Sequence, residues 1–99
     1  MRLTIQETTV IKAAILSVFG AEAQVKLFGS RIDDTAKGGD IDLMVTVAHP
    51  VSQPAWDIAR AKAKMIMELG ECDIDLLLDA PNLSEMPIHQ IARNQGVVL

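Results

Sequence analysis

Two aspartates one residue apart, Asp40-Ile41-Asp42, follow a Gly38-Gly39 pair and open an apolar run, Leu43-Met44-Val45. If that run is a strand, Asp40 and Asp42 point to the same face and crowd two negative charges together. Such a pair is unfavourable unless something positive lies between, and a hard divalent cation with oxygen ligands is the natural partner. A few residues earlier, Leu27-Phe28 runs into Gly29-Ser30-Arg31. A turn of that kind offers backbone N–H groups and a hydroxyl to a phosphate. Metal beside phosphate is the chemistry of phosphoryl or nucleotidyl transfer.

In-line transfer of a nucleotide needs a grip on the triphosphate, metal ions against developing charge, and an activated acceptor oxygen. Gly29 and Ser30 are expected to hold the phosphates, with glycine required because a Cβ would block close approach. Gly39, beside the metal pair, is expected to help bind the nucleotide. Arg31 is read either as a further phosphate contact or as half of a surface ion pair. Asp40 and Asp42 are expected to carry Mg²⁺. A third carboxylate, to hold a second metal and draw the proton from the acceptor, is sought on a later strand. That strand supplies Asp73 and Asp75, and Asp75, deeper in the strand before Leu76-Leu77-Leu78, is the preferred candidate.

These residues need elements to position them. Thr4 with Glu7 three residues later has the spacing of a capping box. Val10, Ile11, Ala14, Ile15 and Val18 then form a helical stripe that Gly20 can stop. Gln24–Phe28 reads as a short buried strand and Asp40–Val47 as a second. The Asp33–Gly39 stretch is a polar loop, and Arg31–Gly39 is too short for a helical crossover, so these two strands need not be parallel. His49–Pro54 connects to a helix over Asp57–Leu69, apolar along Ile58, Ala61, Met65 and Leu69. Cys72–Leu78 is the third strand. Pro87–Asn94 is a short helix stopped by Gly96, and Val97–Leu99 is a last strand or a tail. The expectation is an α/β (α+β) chain with a small mixed β-sheet packed against helices.

With 99 residues, one domain over 1–99 is expected. The chain is 49% hydrophobic, which argues for a packed core. The net charge of −4 and only two Phe and one Trp argue against direct nucleic-acid binding. The single cysteine, Cys72, rules out an intrachain disulfide and fits a cytoplasmic location. A polar N-terminus and the lack of a long apolar run predict neither a signal peptide nor a membrane span. His49 and His89 are expected on the surface, and the methionines are expected as core filler. Met65 and Met67 are alternatively candidates for a protein interface, and Trp56 is expected to pack at the helix start, with anchoring a partner as the alternative.

Gly29-Ser30, nine residues, Asp40-Ile41-Asp42 and a later strand aspartate together resemble the DNA polymerase β-like nucleotidyltransferase superfamily. The likeness extends over nearly the whole chain, and within the superfamily the chain is similar to the minimal nucleotidyltransferases (MNT proteins). The resemblance implies a nucleotidyltransferase fold, with Gly29 and Ser30 at the phosphate turn and Asp40, Asp42 and Asp75 as metal ligands and catalytic carboxylates. It also implies ATP as substrate and a HEPN-type toxin as partner, neutralised as in a toxin–antitoxin pair by transfer of AMP to a tyrosine. Two other readings stand beside it: an antitoxin that acts by binding alone, and an enzyme with a small-molecule acceptor. Larger relatives carry a second domain for which this chain has no room, so a partner chain or a second copy is expected to complete the acceptor site.

Overall fold

The computed structural model describes residues 3–29, 41–70 and 73–99. Helix α1 spans Ile5–Phe19, strand β1 Gln24–Phe28, strand β2 Ile41–Thr46 and helix α2 Pro54–Leu69. Strand β3 (Ile74–Asp79), helix α3 (Pro87–Gln95) and strand β4 (Val97–Val98) complete the order. The class is α+β, with a four-stranded sheet in the order β3-β2-β1-β4. β1 runs antiparallel to β2 and to β4, while β2 and β3, joined through α2, are parallel.

Local signals set most boundaries. The Glu7 N–H donates to Thr4 Oγ1 at 3.0 Å and the Thr4 N–H to Glu7 Oε1 at 2.9 Å, so both halves of the capping box form. α2 begins three residues before Asp57, because Pro54 occupies the first turn, where a missing N–H costs nothing. β3 runs from Ile74 to Asp79, so Asp73 precedes the strand and Asp79 belongs to it. The ladder to β2 is closed at its two ends by Ile41 N–H to the Asp73 carbonyl, 2.9 Å, and Val47 N–H to the Asp79 carbonyl, 3.0 Å.

The sheet buries both faces, and the strand alternation sorts its residues between them. Val25, Leu27, Ile41, Leu43, Val45, Ile74 and Leu78 pack with Ile11, Ala14 and Ile15 of α1 and with Ala61 and Met65 of α2. The opposite face carries a smaller cluster, in which Ala92 of α3 covers Phe28, Met44 and Leu77. Being covered on both sides is why β2 reads as a near-continuous apolar run broken only by Asp42.

His89 corrects the sequence expectation of a surface residue, for it is 3% exposed. It shares the buried stripe of α3 with Ala92 one turn later. Its Nδ1 accepts the Met86 N–H at 3.0 Å, and its Nε2, as donor, meets the Leu78 carbonyl at 3.0 Å. The Asp73 and Asp79 carbonyls turn towards β2, so the Leu78 carbonyl faces the open edge of the sheet, and His89 satisfies it. Both ring nitrogens are thereby paired, which is how an imidazole is tolerated in a core.

Two side chains tie the connections down. Asn82 donates Nδ2–H to the Val51 carbonyl at 2.8 Å and accepts the Val51 N–H at 2.9 Å. Asn82→Ala leaves both groups of a buried residue unpaired, and a loss of about 1–3 kcal/mol is expected in urea denaturation. His49 places Nδ1 3.1 Å from the Pro50 carbonyl and Nε2 3.2 Å from the Phe19 carbonyl at the end of α1. The Pro50 carbonyl, then that of Phe19, favours the charged ring and raises the His49 pKa above its ordinary value. A raised folded-state pKa gives stability that is complete below the unfolded value of about 6.5 and is lost as pH climbs through the folded one. Wild type is therefore expected to exceed His49→Gln in stability by more at pH ~5.5 than at pH ~8.5, measured by denaturation at both.

Candidate functional site

β2 and β3 pair with Ile41 opposite Ile74, which sets Asp42 opposite Asp75. β1 adds Phe28 opposite Asp42 on the other side. Phe28, Asp42 and Asp75 thus form one row across three strands, all on the face that carries α3. Neighbouring strands lie about 4.8 Å apart, so the two carboxylates stand side by side. Asp42 is half-buried in the central strand, and Asp75 is exposed on the edge strand. A row lower, Lys26, Met44 and Leu77 align, and then Gln24, Thr46 and Asp79. Only the first row places two acids next to each other.

Gly29 follows β1 with φ +76°. A Cβ built there would collide with the Asp42 carboxylate, reaching its Cγ at 3.0 Å and its Cβ at 3.3 Å. The missing side chain is therefore the space that the carboxylate fills, and the left-handed backbone is the conformation glycine alone adopts at little cost. The turn and the first aspartate of the row are built around each other.

Of the residues singled out in the sequence, the structure brings together Gly29, Asp42 and Asp75. Ser30, Arg31, Gly39 and Asp40 lie outside the described residues, as does Cys72. Asp73 is exposed and sits one step before the Ile41–Ile74 pair. Among the described residues no group of three or more His, Cys, Asp or Glu is arranged to hold a metal ion. The paired oxygen donors of Asp42 and Asp75 nevertheless fit a hard cation such as Mg²⁺, with Asp40 as the expected further ligand.

Trp56 and Met67 are exposed at 61% and 84%, but α2 packs against the face opposite the acidic row, so neither flanks it. Exposed apolar residues on the acidic side include Ile88 and Ile91 of α3 and, opposite Lys26, Val98 of β4. No local sequence signal singles out Ile88 and Ile91; only the course of α3 over that face places them beside the row. Besides Lys26, a further charged group of this face lies at its far end. There Arg93 bonds Glu85 and Asp79 Oδ2, the latter at 3.2 Å, and Thr46 donates to Asp79 Oδ2 at 3.3 Å. Hydrogen bonds from Glu85 and then Asp79 raise the Arg93 pKa further, so this group is a fixed cation.

No protein-family model matches this chain, and comparison with curated proteins also returns no match. Among the described residues no helix is long and apolar enough to cross a membrane.

Proposed function

We propose that this protein is an Mg²⁺-dependent nucleotidyltransferase with the nucleotidyltransferase fold, transferring AMP from ATP to a tyrosine of a HEPN-type partner protein. In this reading it is a cytoplasmic antitoxin. The observation that supports the reading most is the in-register pair Asp42–Asp75 with Gly29 closed against Asp42. The register sets the two carboxylates side by side, and the left-handed glycine leaves the space that the Asp42 carboxylate fills.

Each residue then has a role. The backbone at Gly29, with Ser30, Arg31 and Gly39, binds the phosphates. Asp40, Asp42 and Asp75 would hold Mg²⁺, which supplies charge neutralisation at the triphosphate and the leaving group. Asp75, on the edge strand and open to an incoming chain, takes the proton from the acceptor hydroxyl. The freed oxygen attacks the α-phosphorus, a new P–O bond forms, the bond to the β-phosphate oxygen breaks, and pyrophosphate leaves. On the exposed edge, Asp75 is open to a large acceptor, and the partner covers the site.

The test is the intact mass of the HEPN-type protein encoded beside this one, after incubation with this protein, ATP and Mg²⁺. A gain of one or more AMP groups, absent with Asp42→Asn, is the expected result. A stable complex without any mass gain would assign the protein to neutralisation by binding alone.

A further inference from the structure

α3 crosses the acidic face from β3 towards β1. His89 at its start meets Leu78, Ala92 covers Phe28 and Met44, and Lys26 Nζ donates to the Arg93 carbonyl at 3.2 Å. His89 and Ala92 point down onto the sheet. Arg93 turns to one flank and reaches Asp79, in the row farthest from Asp42 and Asp75. With 3.6 residues per turn, Ile88, Ile91 and Gln95 must occupy the other flank, which faces the Asp42–Asp75 row. Ile88 and Ile91 are 44% and 50% exposed there, and this flank carries no charged side chain.

We propose that the Ile88–Ile91 flank of α3 is the surface against which the base of the bound nucleotide packs. The inference rests on the nucleotide reading above and adds the base subsite to it. Three features select a base. The flank borders the carboxylate row on the same face of the sheet, the side towards which the ribose and base of a nucleotide held at the row can extend. Two half-exposed isoleucines present a ring-sized apolar patch, whereas a stable protein interface needs on the order of 800 Å² per partner. The flank also has almost no hydrogen-bonding groups, with Gln95 alone offering an amide. An aliphatic wall of this kind holds any base by its face and discriminates weakly among them.

Calorimetry with two ligands separates the base from the phosphates: Mg·ATP, and Mg with inorganic tripolyphosphate. Wild type is expected to bind both, and ATP more tightly. Ile88→Ser with Ile91→Ser replaces half-exposed side chains, and circular dichroism is expected to show the fold unchanged. It should weaken ATP about tenfold, the scale of losing one ring's apolar contact, and leave tripolyphosphate within about twofold. GTP should bind wild type within a few-fold of ATP. Unchanged ATP affinity in the double variant, or an equal loss for both ligands, overturns the base subsite alone. Failure of wild type to bind either ligand overturns the nucleotide reading and the subsite with it.

Discussion

Asp75→Asn is expected to cut AMP transfer by ~10²–10⁴-fold while Mg·ATP affinity falls far less. A base acts on the acceptor in the transition state, so its loss appears in the rate more than in nucleotide binding. The fold should not suffer. Asp75 is exposed, and its register neighbour is Asp42, so removing one negative charge relieves repulsion. In the absence of metal, the melting temperature of the variant should therefore equal or slightly exceed that of wild type. Asp73→Asn, before the strand and with no acid beside it among the described residues, should be milder. Single-turnover transfer rates for the two variants, set beside calorimetric ATP affinities, decide the assignment. A larger rate loss for Asp73→Asn would move the role of the base to that residue.

Gly29→Val should abolish transfer and destabilise the protein, where Ser30→Ala only slows transfer. Two costs add at Gly29. The left-handed backbone costs a non-glycine residue roughly 1–2 kcal/mol, and more when the side chain is β-branched. The new Cβ also lies within 3.0 Å of Asp42 Cγ, so the carboxylate must leave its place in the row. Gly29→Ala keeps both costs with the smallest possible side chain, without the β-branch. Its unfolding free energy and its transfer rate should both fall. Wild-type transfer by Gly29→Ala would show that the position of Asp42 does not matter to the reaction.

Much of the fold was legible because the signals are local. Thr4 with Glu7, glycine at positions 20 and 70, and proline at the start of α3 act within one helical turn of themselves, whereas Pro54, read as part of a connection, opens α2. The short apolar run Gln24–Phe28, ended by Gly29, marked β1 by an equally local signal. His89 was illegible because its surroundings come from a strand eleven residues away, whose edge carbonyl it satisfies. Nothing in Pro87-Ile88-His89 reports that distance. Trp56, expected to pack at the helix start, and Met67, expected as core filler, are both exposed, and local sequence does not say on which side of a sheet a helix lies.

By itself, the sequence determined the chemistry available: two spaced aspartates behind a glycine turn, a later strand aspartate, and a chain whose helices and strands alternate in a fixed order. Side-chain type and local period carry that information, because caps, turns and strand faces depend on neighbours within a few residues. Tertiary structure alone decided which acid stands beside which. The preference for Asp75 over Asp73 rested on depth in a strand, whereas the parallel register that sets Ile41 against Ile74 puts Asp75, and not Asp73, level with Asp42. Register is a long-range property, set by how the whole apolar face of each strand meets the core, and a slip of one residue would turn Asp75 to the other side. The same holds for α3. Only its diagonal course over the sheet, held by His89, Ala92 and Arg93, turns Ile88 and Ile91 towards the acidic row.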